Sequence, residues 1–419
     1  MNPAYREVLR SPRLAAILLL GFSSGLPLAL TGGTLQAWMT VAGLDVKTIA
    51  WFSWIGLPYA LKFLWSPFMD RFAPPWLGRR RGWMLLTQAA LLLGLAAMAV
   101  SPPDTSIWVL GCAALWVAFA SASQDIVIDA YRTDILKQEE RGMGAALTVF
   151  GYRLAILCSG ALALILADQI GWQNTYFLMA GLMAVGMVTA LAAPEPESPA
   201  QVPSTLAEAV LRPLRDLLGR PGAVTLLALV VLYKLGDALA ESLGTTFLIR
   251  GMGFSPTDVG LVNKGLGLGA LLVGALAGGV LLARMSLYRA LLVFGAVQAV
   301  STLAFAWLAM EGKSYPLLFF AVGFEKFASG LGTSAFIALL MALCNHAYSA
   351  TQYALLSAVA SLGRIMVGPV AGDLVARLGW DGFFVLTFFA ALPGLALVWA
   401  RRGEIERMAE LTAPKPAPA

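Results

Sequence analysis

LAAILLLGFSSGLPLALTGGTLQA, residues 14–37, is the stretch whose reading decides the fold. It runs for more than 20 residues without an Asp, Glu, Lys or Arg. A helix rises about 1.5 Å per residue, so this run spans the roughly 30 Å of a bilayer's hydrocarbon core. The segment from Met1 to Arg13 before it is polar and basic. A secretory leader has a core of only about 7–15 apolar residues and a small-residue cleavage site. This run is too long and no convincing site follows, so it is expected to be a first membrane helix.

Similar runs recur along the chain. Spans are expected near 14–37, 48–69, 83–101, 106–130, 143–168, 174–193, 223–249, 258–282, 288–309, 315–342, 350–374 and 381–400. Hydrophobic residues make up 59% of the chain and charged ones only 13%, about half the charge of a soluble domain. Lipid must therefore solvate most of the surface. The runs are long and continuous, unlike the roughly ten-residue alternating strands of a barrel, so the expectation is an all-α membrane protein.

The largest break is Pro194 to Gly222, opening Pro194-Glu195-Pro196-Glu197-Ser198-Pro199. Such a segment cannot continue a helix and has little to bury. It divides the chain into an N-terminal six-helix bundle (1–193), a linker (194–222) and a C-terminal six-helix bundle with a short tail (223–419). One set of connections holds Arg6, Arg10, Arg13, Arg71, Arg79, Arg80, Arg81, Arg132, Lys137, Arg141, Arg212, Arg215, Arg220, Arg284 and Arg289, and the tail adds Arg401, Arg402, Arg407 and Lys415. The opposite set holds only Lys47, Arg250, Lys313 and Arg377. From this asymmetry both termini and the linker are expected in the cytoplasm. The basic excess reports topology and anionic lipid, with no nucleic-acid partner implied.

The halves repeat weakly. Phe119-Ala120-Ser121 matches Phe327-Ala328-Ser329, Gly151 and Arg153 find Gly363 and Arg364, Gly171-Trp172 matches Gly379-Trp380, and Gly43-Leu44-Asp45-Val46 loosely matches Gly253-Phe254-Ser255-Pro256. Their common order points to a duplicated six-helix unit. Parallel halves of six helices organise major facilitator transporters.

Ionisable residues inside spans cost a few kcal/mol or more each. Here the cations are Lys62, Arg153, Lys234, Lys264, Lys326 and Arg364, and the acids Asp125, Asp129, Asp237, Glu241 and Glu325. They come from several helices of both halves, as a central cavity between two rocking bundles requires. Lys234, Asp237 and Glu241 stand three and four apart on one helix face, as do Ser121, Asp125 and Asp129, while Lys326 points about 100° away from Glu325 and Ser329. The five carboxylates are candidate proton carriers, Asp125 first. The cations, with Gln124 and Asn263, are candidate substrate ligands. One cation more than acids suits an anionic ligand. Some charges serve only to pin helix to helix. That reading fits Asp129 best, beside Arg132 and close to a gate network of Asp70, Arg71 and Arg141.

Further polar candidates are Gln36, Tyr131, Tyr152, Tyr233, Gln298 and Gln352. Trp38 and Trp51 read as membrane-interface residues, and Trp54 stays open as an interface or sugar-stacking residue. Gly21 and Gly25, Gly274 and Gly278, and Gly368 and Gly372 have the spacing that lets helices approach closely. Pro27, Pro58 and Pro369 lie inside spans. Gly265, Gly267 and Gly269 imitate a phosphate loop but follow no strand. Cys112, Cys158 and Cys344 are not at metal-ligand spacing and read as packing residues, and His346 as a residue of a polar connection. No metal or cofactor is expected. A membrane-embedded transferase is disfavoured, since no nucleophile–base pair appears.

After the second span come Trp65-Ser66-Pro67-Phe68-Met69-Asp70-Arg71 and then Gly78-Arg79-Arg80-Arg81-Gly82-Trp83. This resembles the cytoplasmic loop signature of the major facilitator superfamily, an Asp-Arg followed by Gly-Arg-Arg, with extra residues including Pro74 and Pro75. The split looks like that of AmpG-type muropeptide permeases. So do Gly21-Phe22-Ser23-Ser24-Gly25-Leu26-Pro27, Gln124-Asp125-Ile126-Val127-Ile128-Asp129-Ala130-Tyr131-Arg132, Tyr233-Lys234-Leu235-Gly236-Asp237 and Val262-Asn263-Lys264. Acetyl-CoA transporters share a fourth-span run like the second of these, which keeps a carrier of that or another organic anion as the alternative. The resemblance implies the major facilitator fold with twelve transmembrane helices. It implies proton-coupled import of anhydromuropeptides across a Gram-negative inner membrane, feeding peptidoglycan recycling and, in some species, β-lactamase induction. Asp70, Arg71, Arg79, Arg80, Arg132 and Arg141 are expected to form a cytoplasmic gate. The second-half counterpart has Arg284 and Arg289 but no acid. The partners expected are the muropeptide, protons and lipid, with the chain as a monomer.

Overall fold

A computed structural model describes residues 11–72, 74–136, 140–196, 212–219, 222–344 and 349–412. Lys137 and His346 lie outside the described residues, as do the side chains of Asp70 and Arg141.

Every regular element among the described residues is helical. The first half holds α1 (Pro12–Thr31), α2 (Gly33–Val41), α3 (Val46–Trp51), α4 (Leu57–Leu61), α5 (Ser66–Arg71), α6 (Arg79–Ala99), α7 (Ile107–Ile135), α8 (Arg141–Ile156), α9 (Ala163–Ile170) and α10 (Trp172–Ala192). The second holds α11 (Arg212–Leu218), α12 (Ala223–Tyr233), α13 (Leu235–Ser242), α14 (Gly244–Thr246), α15 (Pro256–Val259), α16 (Gly267–Leu282), α17 (Leu287–Glu311), α18 (Tyr315–Ala342), α19 (Ser349–Ala400) and α20 (Arg402–Thr412).

Nine stretches among the described residues are long and apolar enough to cross a membrane, against twelve expected. The differences have local causes. The second expected span is divided into α3, α4 and α5 by tight 3-10 turns at Phe52–Gly56 and Lys62–Leu64, and Pro58 and Pro67 each sit in the first turn of a short helix, where proline's missing N–H does no harm. The 28-residue α18 is long enough but carries Glu325, Lys326 and a polar run from Ser329 to Ser334. The last two expected spans are two helices that α19 takes together, separated at a non-helical Gly379 with φ 71° and ψ −179°, a conformation that glycine adopts at little cost.

The chain forms two compact units, one of Met1–Asp45, Trp54–Val202 and Ser255–Leu261, the other of Val46–Ser53, Pro203–Phe254 and Val262–Ala419. In the first unit α1 lies directly on α8: a Cβ at Gly21 would strike the Thr148 backbone, and one at Gly25 the Tyr152 backbone and Ala155. Tyr176 donates a hydrogen bond to the Leu30 carbonyl at 2.8 Å. Trp38 is 4% exposed and stacks on Trp172 at 5.9 Å, beside Tyr176. It is a packing residue of this unit, which corrects the interface reading. In the second unit Gly274 and Gly278 seat α16 against Phe327, Leu331 and Ser334 of α18. A core around Tyr233, Phe294, Phe336 and Leu339 closes it. Gly368 and Gly372 receive Ala50 and Ser53, and Lys47 pairs with Asp373 at 2.8 Å. Cys112 is exposed, whereas Cys158 and Cys344 are half-buried.

Candidate functional site

The charges fall into one cluster in each unit and a loop network in the first. In the first unit Asp125 stands about two-thirds of the way along α7. Ser24 donates to its Oδ1 at 2.5 Å, and Lys62 Nζ lies 3.9 Å from Oδ2. The 3-10 turn that interrupts the second expected span is what presents Lys62 here. Tyr59 lies beside Ser121 within electrostatic reach of Asp125. The Ser23 hydroxyl and both amide atoms of Gln124 are buried without a hydrogen-bond partner among the described residues. Arg153 is half-buried and has no carboxylate within 4 Å among the described residues. Asp129 is more exposed and pairs with Arg132 at 3.2 Å.

The loop signature is tied to the ends of three helices. Arg80 is 5% exposed and pairs with Asp134 at 2.8 Å. Glu195 accepts from the backbone N–H of Arg80 at 3.0 Å and of Arg81 at 3.2 Å. Arg81 in turn donates to the carbonyls of Ala190, at 2.9 Å, and Leu191. The start of α6 and the end of α10 thus cap each other, carboxylate on the positive end and guanidinium on the negative one. Gly78 makes this possible. Its φ is 80°, and a Cβ there would strike the Glu195 carboxylate. Tyr131 donates to the Pro194 carbonyl at 2.9 Å, while Ser11 and Arg13 meet Glu140 at 2.9 and 3.7 Å. Sequence reasoning missed Asp134, Glu140 and Glu195. The available signal was Gly78, which offers α6 no capping side chain and so demands one from elsewhere. Glu195→Gln is expected to lower stability by about 1 kcal/mol, read as a fall in the thermal unfolding midpoint in detergent.

In the second unit the helix breaks at Lys234 (φ −99°, ψ 3°), which separates α12 from α13. Lys234 is 8% exposed and reaches Asp237 and Thr333, each at 3.2 Å. Glu241, one turn on, turns to other helices: Lys326 at 3.3 Å and Arg364 at 3.7 Å. Lys326 also lies 3.3 Å from Glu325. The helical wheel separates those two neighbours by about 100°, but the lysine stem is long enough to bring its amine back. Glu325 is 4% exposed, and its Oε2 has no hydrogen bond. A π-turn at Gly260–Leu266 carries Asn263 and Lys264, a distortion that often marks functional positions. Asn263, Lys264, Glu241, Glu325, Lys326 and Thr245 line a cleft with Leu248 and Phe305.

Several polar candidates are engaged elsewhere. Tyr131 holds Pro194, Tyr233 donates to the Leu291 carbonyl at 3.1 Å, and Gln352 donates to Asp216 at 2.7 Å. Gln298 packs against Gly332, with its Nε2 buried and without a hydrogen-bond partner among the described residues.

The sequence profile of the Major Facilitator Superfamily matches residues 17–324. The chain is 54% identical over 407 residues to the anhydromuropeptide permease of Escherichia coli K12, covering 97% of this chain and 83% of the permease. It is 36% identical over 402 residues to a Rickettsia felis chain named as transporter AmpG 4, covering 94% and 97%. Among solved structures, a POT family transporter in complex with 5-aminolevulinic acid superposes with a TM-score of 0.73 at 13% identity, covering 94% of this chain and 96% of its own. A bacterial homologue of the human lysosomal transporter Spinster, inward-facing and unoccupied, gives 0.70 at 15% identity and covers both chains fully. These two likenesses concern the fold.

Proposed function

We propose, from the premise that the chain belongs to the Major Facilitator Superfamily and within it to the family of the anhydromuropeptide permeases, that it is a proton-coupled importer of anhydromuropeptides. One observation carries the cargo: 54% identity over 97% of the chain to a permease of that name. The cargo is a disaccharide-peptide fragment released by cell-wall turnover, taken up for peptidoglycan recycling. The membrane is the bacterial inner membrane, with both termini on the cytoplasmic side, as the Lys and Arg asymmetry supports.

The chain crosses twelve times on this reading: the nine apolar stretches, the interrupted segment 46–71, α18, and a second crossing gained by dividing α19 at Gly379. An N-terminal bundle (1–193) and a C-terminal bundle (223–419) flank a cytoplasmic linker (194–222). The chain acts as a monomer in the lipid bilayer.

Asp125 is the first proton carrier, since it is the carboxylate that a hydroxyl and an amine hold deep in a span, at 2.5 and 3.9 Å. Asp129, Asp237, Glu241 and Glu325 are the further candidates. Lys62, Gln124, Arg153, Lys234, Asn263, Lys264, Lys326 and Arg364 hold cargo or countercharge. Asp70, Arg71, Arg79, Arg80, Arg132 and Arg141 form the cytoplasmic gate. Competition binding tests the cargo class. Unlabelled anhydromuropeptide is expected to displace a labelled one, and acetyl-CoA is not. Displacement by acetyl-CoA alone would assign the chain to the organic-anion carriers.

A further inference from the structure

The second unit places four cations, Lys234, Lys264, Lys326 and Arg364, among three acids, Asp237, Glu241 and Glu325. Asp237 is taken by Lys234. Glu241 and Glu325 share Lys326, and Arg364 leans on Glu241. One cation is left over. Lys264 has no carboxylate within 4 Å among the described residues, yet it lines the cleft between α13, α17 and α18. Lys264 is half-buried and feels Glu241 and Glu325 only from beyond ion-pair distance, so its amine is placed to pair with an anion entering the cleft.

The rest of the lining says which anion. Glu325 faces the same cleft, is nine-tenths buried, and leaves Oε2 without a hydrogen bond although the Lys326 amine is 3.3 Å away. An ionised Glu325 would repel a bound anion. A protonated one has an O–H to donate. Two carboxyl groups side by side share one proton readily, because like charges so close cannot both persist. Asn263 and Thr245 add an amide and a hydroxyl, and Leu248 and Phe305 an apolar wall for the chain that bears the anion.

We propose that this cleft is a carboxylate subsite: a carboxylate of the cargo pairs with Lys264 and accepts a hydrogen bond from a protonated Glu325. The step balances simply. Glu325 takes one proton from the aqueous phase as the carboxylate arrives, and gives it up when the carboxylate leaves. The groups facing Glu325 are Asp237 and Glu241 from α13, Lys264 from the π-turn and Lys326 on its own helix, with Lys234 and Arg364 behind them on Asp237 and Glu241. Their net charge is unchanged when proton and carboxylate enter together. The inference rests on the reading of the cargo as an anhydromuropeptide, whose peptide carries free carboxylates.

Calorimetric titration of the purified full-length protein tests it, using a free-acid anhydromuropeptide and the same molecule with its carboxyl groups amidated. A charge-assisted hydrogen bond supports a preference of at least about tenfold for the acid in the wild type. Lys264→Gln should lose that preference by weakening the acid alone, and Lys264→Arg should restore it. Titration in buffers of different ionisation enthalpy should show proton uptake with the acid ligand that falls by about one proton per ligand in Glu325→Gln. Equal affinity of the wild type for acid and amide, or equal weakening of both by Lys264→Gln, would overturn the subsite and leave the transport reading standing. Binding of neither ligand by the wild type would overturn that reading itself.

Discussion

Asp125→Asn protein, reconstituted into vesicles under an inward proton gradient, is expected to equilibrate the cargo but not to concentrate it. With one proton per cargo, a gradient of one pH unit supports about tenfold accumulation, since about 1.4 kcal/mol corresponds to a factor of ten. The variant should level off near equal concentrations inside and out. The substitution is close to isosteric, and Asn keeps an oxygen for the Ser24 hydroxyl now 2.5 Å from Asp125. What it removes is the charge that Lys62 faces at 3.9 Å and the ability to bind and release a proton. Counterflow exchange, which needs no net proton movement, should survive and would show that the protein is folded. Accumulation equal to wild type would remove Asp125 from the coupling role.

Lys326→Ala is expected to be the most destabilising single change among the charged residues. Lys326 stands 3.3 Å from both Glu241 and Glu325. Without it Glu241 keeps Arg364 at 3.7 Å, but Glu325 has no other cation within 4 Å among the described residues. Removing one partner of a buried pair typically costs roughly 3–5 kcal/mol, because the remaining charge stays out of water. The thermal unfolding midpoint in detergent should fall steeply. Adding Glu325→Gln should recover much of the loss, and the double-mutant cycle isolates that coupling. Lys62→Ala should matter far less to stability, since its pair is 3.9 Å apart and Lys62 is about one-third exposed. A Lys326→Ala protein as stable as wild type would mean that Glu325 carries no charge in the resting state.

Much of this was legible in the sequence because membranes impose simple rules. Runs such as 14–37 must be helices, since lipid offers their backbone no other partner. The glycine pairs announced close helix contacts, and Gly21, Gly25, Gly274 and Gly278 each lie against a neighbouring backbone or side chain. Mid-span charges announced polar clusters. Which charge meets which was not legible, because partners are brought together by the fold. Ser24 and Asp125 are 101 residues apart, and Glu195 and the Arg80 amide 115. Trp38 shows the same limit: a tryptophan near a span's end reads as an interface anchor until Trp172 and Tyr176 are seen packed on it. Helix continuity was misjudged in the second span, where Pro58 and Pro67 open short helices of their own. The break between the last two spans was legible, since Gly379 holds a non-helical conformation between two helices.

The most direct test of the central claim is uptake of a defined anhydromuropeptide by vesicles holding the purified wild-type protein, under an inward proton gradient, with and without an uncoupler. Proton-coupled import predicts accumulation above the external concentration that the uncoupler abolishes. Uptake that never exceeds the external concentration, or that the uncoupler leaves unchanged, would contradict it.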